Sequence, residues 1–424
     1  MWLAATLPVP ALADRALSAV RDAARRAGTT GPLVDAPPDP ARVAAAFGSD
    51  RLLRVGGEPW AGFAPHSGFF PAADGWVRTH ANYPHHRERL LEVLGLPADA
   101  DREQLAARLA TSDAQRVEDD SAAAGAVAVR VRTEDKWRRS APGRAAAVGP
   151  LVATSARADG YETLQYGRRS ATFRSRRRPG AGGRVLAGMR VLDLTRVIAG
   201  PVGTRTLALL GADVLRVDPP HPAEIAEQHL DTGQGKRTTV LDLRDRADLA
   251  RAQELLDSAD VLVTGYRPGA IESLGLRVPG DVVRARVSAW GDAGPWAGRR
   301  GFDSIVQAAC GIALIESDDG VTPGALPAQA LDHATGYLLA AGVADALTAR
   351  SDDGTGRDVT VSLARTATWL LDAPGREPGH PPATVPPSSA TVTHGDVTTA
   401  RPALPVDDYP FPARPWGGDP PRWP

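Results

Sequence analysis

The chain has 424 residues, of which 43% are hydrophobic and 23% charged, a composition typical of globular proteins. Its 49 basic and 50 acidic residues nearly cancel, which disfavours nucleic-acid binding because such domains usually carry a basic excess. The sequence has no apolar run of the ~18 residues that a membrane span needs, and its first residues lack the basic start of a secretory signal. The single cysteine, Cys310, excludes a disulfide framework and a cysteine-based metal cluster. We therefore expect a cytoplasmic protein of two or three domains without nucleic-acid or membrane partners.

The first 153 residues mix helical and strand patterns. Leu12, Ala16 and Val20 have helical spacing. Residues 50–55 and 75–81 are predicted as short strands, and residues 85–96 as a helix that ends at Gly95. A second helix is predicted over residues 100–110. The polar stretch that follows, residues 154–185, is rich in arginine and glycine and is predicted to be a linker.

Residues 186–371 alternate short apolar strands with helical patterns. Such alternation indicates an α/β domain built on a parallel sheet with crossover helices. The predicted strands are residues 189–196, 213–218, 238–243, 260–266, 284–290 and 357–363. The predicted helices are residues 204–210, 246–259, 302–314 and 333–350, with a last one ending near residue 371. Residues 372–424 hold many prolines and little periodicity, which predicts an extended tail across the surface.

Two loops of this domain could meet a ligand. Residues 197–204 form a Gly/Pro loop between a strand and a helix, where exposed N–H groups suit a phosphate. The loop lacks the G-x-G-x-x-G pattern and a suitably spaced acidic ribose partner, so an ordinary turn accounts for it equally well. Residues 265–276 follow the fourth strand, and such strand ends border the ligand crevice of open α/β sheets. Nearby, Lys236, Arg237 and Arg244 could bind phosphates or remain solvated.

Asp332 is the most informative single residue. It directly precedes a run of helical residues, and an N-cap role alone would account for an aspartate there. A carboxylate at a helix start beside small residues is also accessible, and the helix dipole stabilises its anion. These are the properties of a carboxylate nucleophile. The adjacent His333 is interpreted as structural. No metal constellation is predicted, and packing or solvated roles are expected for the clustered histidines His66, His80, His85 and His86.

The order of these segments resembles the family III CoA-transferases, the CaiB/BaiF group that contains formyl-CoA transferase, carnitine CoA-transferase and α-methylacyl-CoA racemase. The resemblance covers residues 188–370 and is carried by GMRVLDLTRVIAGPVGTRTLALLGADVLRVDPP, GKRTTVLDLR, ADVLVTGYRPGAIESLGL, SAWGDAGPWAGRRGFDSIVQAACGIAL and ALPAQALDHATGYLLAAGVADALTAR. It implies a Rossmann-like fold for residues 186–371.

The resemblance implies that Asp332 is the catalytic nucleophile. It also implies that CoA contacts Ile198, Ala199, Leu241, Asp242, Leu243, Arg244, Gly265, Tyr266, Arg267, Arg300, Gly301, Phe302 and Asp303. Pro219 and Ser273 stand where formyl-CoA transferase has arginines for the CoA phosphates. Phosphate binding would then need other cations, and Arg267, Arg299 and Arg300 are the candidates.

The function implied is transfer of CoA from an acyl-CoA thioester to a free carboxylic acid, through a mixed anhydride and an aspartyl-CoA thioester. The racemase branch is disfavoured because Phe302 stands at the position of the racemase histidine and cannot transfer a proton. CoA would be a substrate, with no tightly bound cofactor or metal, and family resemblance implies an interlocked homodimer. A degenerate homologue that binds CoA esters, or a partner subunit, is the alternative. A second alternative, an NAD(P)-dependent oxidoreductase, is suggested only by the alternation of strands and helices.

The order of the domains departs from the family. The block FAPHSGFFPAADGWVRTHANYPHHRERLLEVLGL, residues 63–96, resembles the second, smaller domain of family members, yet here it comes first. We therefore expect residues 1–153 to form a smaller α+β domain placed N-terminal to the Rossmann-like domain. A circular permutation and the remnant of a fused duplicate both explain this order.

Overall fold

The computed structural model describes residues 2–60, 62–157, 184–267 and 269–424. Its N-terminal part contains helices Val9–Arg26 (α1), Pro32–Asp35 (α2), Pro40–Phe47 (α3), Ser49–Leu52 (α4), Pro84–Val93 (α5), Arg102–Ala110 (α6), Ala114–Ala124 (α7), Glu134–Arg139 (α8) and Ala141–Ala146 (α9). The strands there are Arg54–Val55 (β1), Glu58–Pro59 (β2), Gly68–Ala72 (β3), Gly75–Thr79 (β4), Ala128–Arg130 (β5) and Ala153–Ala156 (β6). The strand predicted over residues 50–55 is thus helix in its first half, and only its last two residues form a strand.

The second part contains the elements of a doubly wound domain. Its strands are Arg190–Leu194 (β7), Asp213–Asp218 (β8), Lys236–Val240 (β9), Val261–Thr264 (β10), Val283–Ser288 (β11) and Arg357–Ser362 (β12). Its helices are Ala199–Leu209 (α10), Ala226–Thr232 (α11), Arg246–Asp257 (α12), Ala270–Ser273 (α13), Asp303–Cys310 (α14), Ile312–Ile315 (α15), Ala330–Asp353 (α16) and Leu363–Asp372 (α17). Each of the six strands predicted in residues 186–371 is present.

These strands form one sheet in the order β6-β12-β11-β10-β7-β8-β9. All neighbouring pairs from β12 to β9 are parallel. Counted from β7 as the first, the six parallel strands lie in the order 3-2-1-4-5-6, which is that of Rossmann-like sheets. The order reverses between β7 and β10, and ligands of open α/β sheets bind at the carboxyl ends of the strands beside such a switch point. The α/β fold predicted from the sequence is confirmed.

The edge strand β6 corrects the predicted linker. Residues 153–156 pair antiparallel with β12, with Ala153 opposite Thr360 and Ala156 opposite Arg357. The sequence gives little sign of this strand because three of its four residues are exposed, as befits an edge strand with one free side. Residues 158–183 of the predicted linker lie outside the part of the chain that the structure describes.

The N-terminal part contains a smaller α+β unit, residues 68–130, with a sheet of its own. Its antiparallel sheet has the order β3-β4-β5, and α5, α6 and α7 cover it. Its separate core consists of Phe70, Val77, Ala81, Leu90, Leu94, Leu105, Leu109, Ala114, Val117, Ala126 and Ala128.

The hydrophobic core differs from the predicted division at residue 153. Helix α1 packs along α16, and its buried Leu12, Ala16 and Val20 belong to the same core as the sheet residues Val191 and Val263. The helical spacing predicted these three positions correctly, but their partner is the Rossmann-like domain. Residues 1–153 therefore do not share one core of their own.

The Pro-rich tail is more ordered than an extended coil. It contains a short 3₁₀ turn (Ser388–Ala390) and a hairpin of Thr391–His394 (β13) and Val397–Ala400 (β14), which joins β1 and β2 in a small sheet. Beyond the hairpin the tail covers the edge strand β9, where the N–H of Asp419 donates to the carbonyl of Thr238 at 2.8 Å. This contact satisfies a polar group of an edge that would otherwise face water.

Candidate active site

A cavity of about 520 Å³ opens at the carboxyl edge of the sheet, beside the switch point. The ends of β7, β8, β10 and β11 form its floor, and the start of α5 from the smaller unit contributes to its wall. Most of its lining is apolar, with polar groups from several loops, as is usual for small-molecule sites.

The cavity brings together thirteen of the fourteen residues that the sequence predicts for the site. Its lining includes Asp332, Ile198, Ala199, Leu241, Asp242, Leu243, Arg244, Gly265, Tyr266, Arg267, Arg300, Gly301 and Phe302. These residues come from five separate segments, which the strand order places along one edge of the sheet.

Asp303 is the exception and corrects the predicted set. Its side chain is fully buried and does not line the cavity. It accepts the backbone N–H of Asp332 at Oδ2, at 2.9 Å, and its Oδ1 accepts the side-chain amide of Gln307. Asp303 points into the protein because α14 begins with it and buries its first turn. Asp303 therefore holds the start of α16 through this hydrogen bond, behind the cavity wall.

Asp332 lies in the first turn of α16, three residues inside the N-cap position that the sequence predicts for it. The residue before the helix is Gln329, so Asp332 is the third helical residue and not the N-cap. Its backbone N–H, one of the groups that a helix start leaves without an intrahelical partner, bonds Asp303. Only 6% of Asp332 is exposed, although it reaches the cavity wall.

The environment of Asp332 disfavours its charged form. Burial raises the pKa of the Asp332 carboxyl well above its usual value of 3.8, and the nearby Asp303 and Asp50 raise it further. Burial likewise raises the pKa of Asp303 to about 6. The sequence suggests an anion stabilised by the helix dipole, whereas desolvation and two nearby carboxylates act in the opposite direction on this carboxyl. Such a strongly perturbed carboxyl in a cleft is typical of functional sites.

The turn before α10 has an unusual backbone conformation. Val197 has φ +69°, a left-handed value that is a genuine outlier for a β-branched residue. Its N–H donates to Oε2 of Glu224 at 3.2 Å. The turn leads directly into Ile198, Ala199 and Gly200, which line the cavity and begin the helix.

A buried ionic network supports this turn. The guanidinium of Arg216 bonds Oδ1 of Asp218 at 2.9 Å and Oε2 of Glu224 at 2.7 Å. The hydroxyl of Tyr83 donates to Oε1 of Glu224 at 2.6 Å. Burial alone would raise the pKa of Glu224, but Arg216 and Arg196 outweigh it and hold that pKa at about 2. Glu224 is therefore ionised at neutral pH.

Three arginines stand where the cavity meets the smaller unit. Arg267, Arg299 and Arg300 line both the main cavity and an adjoining one of about 70 Å³. Burial, Arg267 and Arg89 lower the pKa of Arg300. Arg300 donates to the carbonyl of Gly125 at 3.2 Å, the C-terminal end of α7. Arg299 pairs weakly with Glu118, at 3.4 Å. The arrangement concentrates positive charge beside the cavity.

Sequence reasoning missed the residues that the smaller unit brings to the cavity. Tyr83, His85 and His86 line it, and His80 stacks on Phe302 with ring centroids 3.7 Å apart. The histidines were expected to pack or to be solvated, and His80 does pack. Their crowding in residues 80–86 was the only signal in the sequence, since nothing local indicates contact with residues more than a hundred positions away.

The described residues include neither a helix suited to a membrane nor a cluster of metal-binding side chains. No described helix has the length and apolar character needed to cross a membrane. Within the same ranges no group of three or more His, Cys, Asp or Glu residues could hold a metal ion.

The strand order defines this part of the chain as a Rossmann-like α/β domain, and its cavity lies at the switch point of the sheet. Residues 186–390 match the model of CoA-transferase family III. The resemblance found in the sequence is therefore confirmed for this segment, which is similar to the CoA-transferases of family III.

Several known proteins are similar to this segment. The acetyl-coenzyme A transferase nodX of Hypoxylon pulicicidum is 34% identical over 218 residues, which are 48% of this chain and 36% of that protein. The acetyl-CoA:oxalate CoA-transferase of Acetobacter aceti is 32% identical over 194 residues, which are 42% of this chain and 50% of that protein. The crystal structure of Rv3272 from Mycobacterium tuberculosis shares 34% identity, with a TM-score of 0.41, over 44% of this chain and 58% of that one. The chain thus matches about half, or less, of the length of the curated relatives.

Proposed function

We propose that this protein is a CoA-transferase, which moves CoA from an acyl-CoA thioester to a free carboxylic acid with Asp332 as the nucleophile. The observation that carries the proposal is the position of Asp332 in the wall of a cavity at the switch point, beside the residues expected to contact CoA. A carboxylate that lines a mostly apolar cleft is one of the side chains that form covalent intermediates in enzymes.

The first half of the reaction forms an enzyme-bound thioester. The ionised carboxylate of Asp332 attacks the thioester carbonyl of the donor, and the C–S bond breaks to give a mixed anhydride and CoA thiolate. The thiolate then attacks the aspartyl carbonyl of the anhydride, which forms an aspartyl-CoA thioester and releases the donor as a carboxylate. The second half repeats these steps in reverse with the acceptor carboxylate. Splitting one exchange into acyl transfers to a side chain is the usual benefit of a covalent intermediate.

Backbone groups near Asp332 suit the negative charge that develops during these steps. The N–H groups at the start of α10, at Ala199 and Gly200, precede the first bonds that a helix can make internally. They belong to the cavity wall, as Asp332 does. Oriented N–H groups in a water-poor site stabilise a tetrahedral oxyanion. The positive charge of Arg267 and Arg300 supports binding of the phosphates of CoA.

The test is a screen of acyl-CoA donors against free carboxylic acids, with the products identified by mass spectrometry. We expect transfer by the wild-type chain and none above background by Asp332→Asn, which keeps the size of the side chain but removes the nucleophile. Incubation with an acyl-CoA followed by hydroxylamine should modify Asp332. Asp260→Asn is the matched control, because Asp260 is a buried carboxylate that precedes β10, at the opposite edge of the sheet.

Other outcomes favour the alternatives. Binding of CoA esters without transfer or modification would favour the degenerate homologue or partner subunit. Binding of a nicotinamide cofactor, measured by the fluorescence of the cofactor, would favour an oxidoreductase. The homodimer and the cytoplasmic location remain predictions, and light scattering on the purified chain tests the first of them.

A further inference from the structure

The conformation of Val197 needs an explanation beyond local sequence preference. Of the described residues other than glycine, only Leu3 and Val197 have positive φ. A branched side chain strains this conformation, which persists only when surrounding contacts hold it. Glycine would adopt it without strain, yet the chain has valine here.

Glu224 is the contact that holds the turn. Its side chain is completely buried, and Oε2 accepts the N–H of Val197. Arg216 fixes the same oxygen at 2.7 Å, so the acceptor itself cannot move freely. The other carboxylate oxygen accepts the Ile225 N–H at 3.0 Å and the Tyr83 hydroxyl at 2.6 Å. Each oxygen of Glu224 therefore has two donors, and the network over-determines its position.

Tyr83 connects this network to the smaller unit. It directly precedes α5, and it also lines the cavity. The guanidinium of Arg196, the residue before Val197, lies 5.0 Å from the centre of the Tyr83 ring. Contacts from residues 83, 196 and 224 thus converge on one turn of the cavity wall.

We propose that Glu224 is a positioning residue, which holds the Val197 turn in its left-handed conformation so that the N–H groups of Ala199 and Gly200 face the reacting carbonyl. Because Tyr83 belongs to the smaller unit and bonds Glu224, the position of Glu224 depends on that unit being docked. The inference rests on the proposed function, since it assigns those N–H groups to the oxyanions of CoA transfer. Without Glu224, the turn relaxes toward negative φ and the first N–H groups of α10 turn away.

The decisive test is rescue by glycine. We expect Glu224→Ala to lower kcat about tenfold or more, and Glu224→Gln, whose amide oxygen keeps a neutral acceptor, to lower it less. Val197→Gly added to Glu224→Ala should restore kcat to within about threefold of Val197→Gly alone, because glycine takes positive φ without strain. Val197→Ala removes nearly as much side chain but keeps the strain, so it should not rescue.

A second measurement does not depend on activity. Hydrogen–deuterium exchange of the peptide containing residues 195–200 should quicken about tenfold in Glu224→Ala, because local opening becomes easier. Asp260→Asn, which removes a buried carboxylate elsewhere, should leave this peptide unchanged. If Glu224→Ala does not fold, Glu224→Gln with the same Val197 changes takes its place.

The outcomes separate the inference from the proposed function. A wild-type chain without transfer activity contradicts the proposed function, and the exchange experiment still decides what holds the turn. An active wild type with unchanged exchange in the Glu224 variants overturns the inference. A loss of activity that Val197→Gly fails to restore also overturns it, since a merely structural role of Glu224 predicts that result.

Discussion

Replacing Asp50 by asparagine should stabilise the protein at neutral and alkaline pH. Asp50 lies in α4, and its Oδ1 is buried without a hydrogen-bond partner among the described residues. Burial is the main cause that raises the pKa of Asp50 from 3.8 to about 6, and the charge of the nearby Asp231 also raises it. That difference corresponds to a penalty of about 3 kcal/mol for the ionised carboxyl in the folded state. Asparagine removes the charge and keeps the size of the side chain.

The sign follows from proton binding. The folded state holds the Asp50 proton up to a higher pH than the unfolded state, so this group costs stability as pH rises from about 4 to about 6. We expect urea unfolding to show little difference between Asp50→Asn and wild type near pH 4, and a gain of up to about 3 kcal/mol for the variant at pH 8. Asp14→Asn, an exposed change on α1, serves as control and should stay within about 0.5 kcal/mol. A pH-independent difference would refute the reasoning.

The same variant tests the electrostatics of the candidate nucleophile. Asp50 is one of the two carboxylates that raise the pKa of Asp332. Removing its charge lowers that pKa, so the pH profile of kcat/KM for CoA transfer should move to lower pH in Asp50→Asn. A profile that stays in place, in a variant whose stability changes as expected, would show that Asp50 does not act on the nucleophile.

Three further substitutions probe the geometry and the charge of the site. Gly336→Ala should lower the free energy of unfolding by about 1–3 kcal/mol and remove most of the activity. The added Cβ would lie 2.5 Å from the carbonyl oxygen of Ala199 and force α16 away from α10. Thermal unfolding measures the first effect and the transfer assay the second. Gly298→Ala, whose Cβ would meet nothing within 4 Å, is the control for stability. Arg267→Ala and Arg300→Ala should each weaken CoA binding in calorimetry about tenfold and pantetheine binding much less. Equal loss for both ligands would contradict a phosphate role.

The sheet and its ligand edge were predictable because their signals are local. Short apolar segments between helical patterns fixed each strand from β7 to β12, and a parallel sheet necessarily gathers the carboxyl ends of its strands. The segments around Ile198, Leu241 and Gly265 therefore meet whatever the details of packing. Helical patterning likewise placed Asp332 at a helix start. The helix begins three residues earlier than predicted because Ala330 and Leu331, both good helix formers, and Asp332 itself belong to it.

The remaining errors concern contacts between residues far apart in the chain. The family resemblance implied that Asp303 contacts CoA, but neighbouring residues at a helix start point in different directions, and its carboxylate accepts the backbone N–H of Asp332. Tyr83 reaches Glu224 across 141 positions of the sequence. The strain at Val197 has no sequence signature, since it arises only when these contacts form. Tertiary packing decided each of these cases.

The packing of α1 on α16 bears on how the protein can be divided. The family match begins at residue 186, yet the helix that carries Asp332 has its flank covered by residues 9–26, and Arg26 pairs with Asp345 near its far end at 2.8 Å. A fragment excised at the limits of the match would expose that apolar flank to water and lose the wall residue Tyr83 as well. The stretch recognisable by homology is therefore smaller than the unit that can fold. A fragment prepared for crystallisation or for domain exchange should retain the N-terminal helix α1.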